Sequence, residues 1–300
     1  MDLLPQHDRY DFVPLPERID YCWPNEKRLA FVVTTNIEWY AFNAGLGHDP
    51  AKTNEPQTHR NYAWRDYGNR VGIWQLFRLL DELKLPAAHN VNSLIYHYAP
   101  QITDAIRRRG DEIVAHGRTN AENARGLWRA DEERVLREVA ETIRSHEGRP
   151  PKGWMGAGAY ETPSTPDLLK LLGYQYVMDW PMDDQPVWMR TTSGKLLSIP
   201  YPIETDDAQA IVHRKYTGRD FCDLLVAQFD EMIDQAVRHP LVMNVSIHPY
   251  IFGHPYQINF LRKALQHCRM HACAHRVWWS RPGEISDYCY GTVSASIPGA

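Results

Sequence analysis

The sequence predicts an α/β fold, a barrel of parallel strands followed by helices, from three observations. Apolar β-branched runs alternate along the chain with segments whose apolar residues recur at helical spacing. Strand, helix, strand, helix in that order implies a parallel sheet. The length of 300 residues suits one barrel, which commonly occupies about 250 residues, plus terminal arms. The expected division is an arm over 1–25, a barrel over 26–290 and a tail over 291–300.

Residues 1–25 read as an extended arm, because Pro5, Pro14, Pro16 and Pro24 forbid a long helix. LAFVVTTNI (29–37) is a buried strand by its continuous apolar run. GIWQLFRLLDELKL (72–85) is an amphipathic helix, and AAHNVNSLIY (87–96) a strand leading into a short helix. APQITDAIRRRG (99–110) is a helix stopped by Gly110. EIVAHG (112–117) is a short strand, and 129–148 a long amphipathic helix with Asp131 as its expected N-cap. A helix over 165–173 precedes strands over 174–180 and 196–202. A helix over 218–239, a strand over 241–250 and a helix over 258–271 follow. Residues 277–288 read as a short strand and turn.

Composition removes several classes of function. The net charge of −4 comes from acids and bases mixed along the chain. A nucleic-acid partner would need clustered Lys and Arg on a basic domain. No stretch approaches the ~20 apolar residues of a membrane helix. The polar, Pro-broken N-terminus lacks the basic start and apolar core of a secretory signal. Five scattered cysteines, an odd number, fit a reduced setting, so a cytoplasmic protein is expected. HCRMHACAH (267–275) lacks the tight Cys pairing of structural zinc and reads as a surface helix end.

Polar residues follow several of the strands, at the rim where a parallel barrel collects its catalytic groups. Asn36 and Glu38, two apart at a strand end, can point the same way. Glu38 can bind a metal or act as a base; the competing reading is a turn cap. His116 ends a strand before Gly117, which lets the backbone turn. His248 lies between an apolar strand and Pro249 and can serve as a general acid. Arg65, Asp66, Tyr67 and Arg70 fall on RDYGNRVG, read as a Gly-containing turn. Its guanidiniums suit a substrate carboxylate or carbonyl, or else a surface ion-pair turn. GWMGAGAYETPST (153–165) is a Gly-rich loop without the Lys of a phosphate loop. It reads as a pocket wall carrying Trp154, with Glu161 as a helix-entry residue. IPYPIETDD (199–207) is a similar wall, from which Glu204 can reach the site.

These motifs, in this order, resemble the polysaccharide deacetylase family, carbohydrate esterase family 4. The nearest branch holds cofactor-independent allantoinases and cyclic imide hydrolases. The resemblance rests on TTNIEWY, RDYGNRVGIW, GDEIVAHGRTN, GWMGAGAYETPSTPDLL, DWPMDDQP, IPYPIETDD and SIHPY and covers roughly residues 8–290. It implies a distorted, incomplete (β/α)7 barrel. In the family one strand-end Asp is the base and a second binds a divalent metal; Asn36 and Glu38 stand at those positions. Of two metal-binding His, the first is His116 and the second position is Asn120. The Arg that orients the base is absent from GWMGAG, and the closing His is His248. Asn36 takes up no proton at neutral pH, and an Asn amide is a poor zinc ligand.

The expectation is hydrolysis of a C–N bond in a small amide, ureide or cyclic imide. Glu38 would activate water, Asn36 would bond the oxyanion, His116 would polarise the carbonyl and His248 would protonate the leaving nitrogen. Arg65, Tyr67 and Arg70 would hold the substrate, and Trp39, Trp64, Trp154 and Trp180 would wall a dry pocket. Either no cofactor is used, or one zinc or manganese is held by Glu38, His116 and Asn120, with His89 as a further ligand. The alternatives are a metal-dependent sugar N-deacetylase and a non-catalytic binding homologue. The expected partners are a small-molecule substrate and a second or further copies of the chain, as homodimer or homotetramer, with neither nucleic acid nor membrane.

Overall fold

A computed structural model describes residues 4, 6–42 and 58–299. Its elements run β1 (Leu29–Ile37), α1 (His59–Tyr67), α2 (Ile73–Leu83), β2 (Ala88–Val91), α3 (Ile95–Tyr98), α4 (Pro100–Arg109), β3 (Glu112–Ala115), α5 (Arg129–Glu147) and β4 (Gly153–Trp154). Then come α6 (Thr165–Leu171), β5 (Tyr176–Val177), β6 (Val187–Thr191), β7 (Gly194–Ser198), α7 (Gly218–Gln235) and β8 (Leu241–Ile247). The last are α8 (Pro249–Phe252), α9 (Pro255–Met270), β9 (Val277–Trp279) and α10 (Pro282–Gly291).

The sheet order is β6-β7-β5-β4-β3-β2-β1-β8, with β9 also on β1. The path from β7 to β8 is parallel throughout, which gives the incomplete seven-strand barrel expected. The segment after β7 bridges across to β8. Thr205 Oγ1 donates to Asn244 O, Asn244 Nδ2 donates to Pro200 O, and Asp206 pairs with Ser246.

Period-2 alternation decides which β1 residues face the site. Leu29, Phe31 and Val33 pack outward under α2, α7 and α9. Ala30 and Val32 pack inward with Tyr176, Leu197 and Tyr201. Asn36 continues the inward set and Thr35 the outward one. The arm lies along its own barrel: Trp23 Nε1 donates to Leu241 O, and Arg18 and Arg9 pair with Asp183 and Asp167.

Four readings are corrected. RDYGNRVG is not an open turn but the end of α1 and a wide π-type turn, Gly68–Gly72, running into α2. Close packing on α8 explains it, since a Cβ on Gly72 would stand 2.1 Å from Pro249 O. The N-cap of α5 is Trp128; Asp131 lies inside the first turn and binds Arg134. Residues 277–288 form β9 and then a helix, because Pro282 opens α10 and Glu284 caps it against Arg281. The strand expected over 196–202 begins at Gly194 as half of an antiparallel hairpin with β6.

Candidate active site

The C-terminal ends of the parallel strands open on a cleft of about 580 Å³. Asn36, Glu38, Arg65, His116, Asn120 and His248 all line it. Glu38 sits one residue beyond β1, buried, at the centre. Its Oε1 lies 3.7 Å from His116 Nε2 and 3.6 Å from His248 Nε2. Tyr40 OH donates to Oε2 at 2.6 Å, and Asn120 Nδ2 donates to Oε1 at 2.5 Å. Burial opposes ionisation of Glu38, but cationic His248 and the hydrogens of both imidazoles outweigh it and hold the carboxyl well below the usual range.

The two histidines are held differently. His248 Nδ1 donates to Asp207 Oδ1 at 2.6 Å, and its backbone N–H donates to Oδ2 at 2.8 Å. Burial disfavours the imidazolium, yet the carboxylates of Asp207 and Glu38 prevail and hold His248 well above the usual histidine range. Burial pushes Asp207 up to about 6, with His248 offsetting part of the rise. At neutral pH the pair is therefore carboxylate and imidazolium. His116 Nδ1 lies 2.6 Å from Met155 O. A carbonyl only accepts, so Nδ1 carries hydrogen and Nε2 faces Glu38.

Asn36 does not have the free amide expected for an oxyanion. Its Nδ2 hydrogens go to Tyr201 OH and Ser246 Oγ, at 3.1 and 3.0 Å. Its Oδ1 accepts from Asn90 Nδ2 at 2.8 Å. Ser246 in turn donates to Asp206 at 2.6 Å. Asn36 thus ties the cleft floor together.

Arg65 is buried, stacked 4.1 Å over the Tyr40 ring and 5.0 Å over that of Tyr250. Its Nη1 lies 3.9 Å from Glu38 Oε2. The other expected substrate contacts fall elsewhere. Tyr67 stacks on His254 at 4.2 Å. Arg70 pairs with Asp66 on the surface. Glu204 is exposed and pairs with Arg214. Trp39 stacks on Tyr98, Trp154 packs on Tyr174 in the core, and Trp180 binds Glu161. Of the four tryptophans, Trp64 lines the cleft, against Tyr250.

His89 is no ligand. Its register partner is Thr35, which faces outward, and its ring lies between Thr35 Oγ1 and Asp111 Oδ2 at 2.7 and 3.0 Å. The Asn120 amide is fixed by a chain of bonds. Trp39 N–H donates to Asn92 Oδ1, so Asn92 Nδ2 donates to Asn120 Oδ1, so Asn120 turns its NH2 to Glu38. A hydrogen donor thus faces the place where a metal would need a lone pair. Among the described residues, Glu38, His116 and His248 do not all bring their donor atoms within 4.8 Å of one another, although Glu38 lies near each histidine. Asp206, Asp207 and His248 do. Their carboxylates are already occupied by Ser246, Gln209 and His248. The residues present do not fit the divalent metal of the family's deacetylases.

Asp230, His267 and His271 also cluster, on α7 and the end of α9. There His271 Nδ1 accepts from Cys273 N–H, which places the ring hydrogen on the nitrogen facing Asp230. That is the tautomer opposite to a metal ligand's.

Sequence reasoning missed Tyr40, Tyr201, Asp206, Asp207 and Asp179. The acidic pair in IPYPIETDD was the available signal, but it pointed to Glu204. Whether Asp207 meets His248 depends on how the chain crosses from β7 to β8.

No sequence-family model matches the chain, and no curated protein matches it. Solved structures do. The PuuE allantoinase is 22% identical over 90% of this chain and 93% of its own, with a TM-score of 0.80. A probable polysaccharide deacetylase from Pseudomonas aeruginosa PAO1 is 22% identical over 90% and 94%, with a TM-score of 0.79. A structure from Mycobacterium smegmatis, with a provisional polysaccharide deacetylase name, is 23% identical over 95% and 98%, with a TM-score of 0.76. The chain has the fold these structures share.

Proposed function

We propose that the chain hydrolyses a C–N bond in a small amide, ureide or cyclic imide, by attack of water on the carbonyl. The observation that carries the reading is one ionised carboxylate, Glu38, held between two imidazoles at the floor of the cleft. A cleft of about 580 Å³ falls in the size range of small-molecule sites. The fold shared with an allantoinase structure agrees with it.

Glu38 takes the proton of the attacking water, and His248 gives its Nε2 proton to the leaving nitrogen. The two transfers help each other. His248 charge keeps Glu38 a weak base, and Glu38 strengthens as that charge leaves. Atoms balance: one water adds its OH to the carbonyl carbon and its H to the departing nitrogen, one C–N bond breaks, and a carboxyl and an N–H form. The Arg65 guanidinium faces the carbonyl oxygen as it gains charge. No step here passes through a metal.

The test is mass spectrometry of cyclic imides, dihydropyrimidines, allantoin and acetylated chitooligosaccharides after incubation with the protein, with and without chelator. The expected result is gain of one water on a ring compound, unchanged by chelator. Loss of acetyl from the sugars, abolished by chelator, would overturn the reading.

A further inference from the structure

One wall of the cleft is the loop 156–161, which contributes Gly158, Ala159 and Tyr160. Its backbone is not relaxed. Ala159 has φ +56°, in the left-handed region that side chains disfavour. Something must hold it, and two buried carboxyls do. Gly156 N–H donates to Asp179 Oδ1 at 2.7 Å. Trp180 Nε1 donates to Glu161 Oε2 at 2.8 Å. Both ends of the loop are thus tied to one dipeptide that follows β5.

The two carboxyls also meet each other. Glu161 and Asp179 stand within side-chain hydrogen-bonding reach of each other. Their remaining oxygens, Glu161 Oε1 and Asp179 Oδ2, are buried and receive no other donor among the described residues. Two carboxylates cannot bond without a hydrogen, and two adjacent buried negative charges repel strongly. The pair must therefore hold one proton. The helix-entry role expected of Glu161 is replaced by this bond.

We propose that Glu161 and Asp179 are positioning residues that clamp the 156–161 loop as a wall of the cleft through one shared proton. The charged groups facing the pair are Glu132 from α5, His116 after β3, and Arg9 from the arm. Glu132, itself bonded by Thr162 and Thr165, adds to the repulsion that keeps the proton in place. Burial and then the Asp179 carboxylate push Glu161 up to about 9. Burial pushes Asp179 up to about 6, with Gly156 N–H, Glu161 and His116 offsetting part. The clamp is closed at neutral pH and opens in alkali, when both groups are charged.

The test is amide hydrogen exchange of the loop in the whole protein, expressed as protection, with the infrared band of a protonated carboxyl followed alongside. In the wild type, protection is expected to fall about tenfold for each pH unit between the ordinary carboxylate value and the loss of the shared proton. The infrared band should vanish at the upper end of that range. Glu161→Gln supplies a permanent donor, so it should keep protection in alkali and lack the band. Glu161→Ala should lose protection at every pH. The same alkaline loss in Glu161→Gln as in the wild type would overturn the proposal. So would a wild type without a protonated-carboxyl band near neutral pH, which needs no variant to fold. Neither readout uses substrate, so a wrong substrate class leaves this test intact.

Discussion

Glu38 and Glu161 are both glutamates with buried carboxyl oxygens beside one cleft, yet their protons behave in opposite ways. Glu38 has two imidazoles, a phenol, an amide and a guanidinium turned toward it. Glu161 has an indole N–H and a second carboxyl. Burial costs both their charge, and the partners decide whether that cost is met. The first becomes a fixed anion and the second a carboxylic acid. Side-chain identity and burial alone predict neither outcome.

The largest expected effect breaks the Glu38 side of the comparison. Glu38→Gln should lower kcat by about 10³-fold or more, measured on whichever panel substrate turns over. The two histidines lose their shared anion, so the loss should be accompanied by a fall of the His248 pKa. Retained turnover would remove Glu38 from the chemistry.

Asp207→Asn comes next and sharpens the role of charge. It should cost about 10²-fold in kcat. Because His248 acts as an acid, activity is lost as pH rises through its folded pKa, which Asp207 raises. The alkaline limb of the pH profile should therefore move to lower pH in the variant. An unmoved limb would show that another group supplies the proton.

Glu161→Gln tests the other glutamate through stability. The folded protein keeps a proton on Glu161 up to about 9, while the unfolded chain loses it near the ordinary carboxylate value. The unfolded state thus binds fewer protons across that window, and this group makes stability fall as pH rises through it. The variant should remove that slope and raise Tm at alkaline pH relative to the wild type, as seen by thermal unfolding across pH.

The smallest effect belongs to residues outside both sites. Arg70→Ala and Glu204→Ala should each change stability by less than about 0.5 kcal/mol and leave KM unchanged, because both side chains are on the surface. A raised KM for either would mean that the cleft extends further than its lining residues indicate.

Much of this was legible in the chain. The uninterrupted apolar run of β1 and the helical spacing of α2, α5 and α7 are local properties, so the strand–helix alternation follows from them. Glu38, His116 and His248 were legible because each follows an apolar strand, and parallel strands must end at one rim. Local pattern also placed Asn36 inward, by alternation from Ala30 and Val32.

Partners were not legible, because they come from distant segments. Register, not spacing, turned His89 outward beside Thr35. Packing of α1 on α8 delivered Arg65 and left Arg70 in solvent. The crossing from β7 to β8 brought Asp207, rather than Glu204, to His248. The loop after β4 brought Glu161 to Asp179. The sequence by itself determined the parallel α/β barrel and the three residues at its rim, because strand and helix periodicity are written in neighbouring residues. The tertiary structure alone decided which of its buried acids carry charge, because charge in a low-dielectric interior depends on partners that only folding brings within a few ångströms.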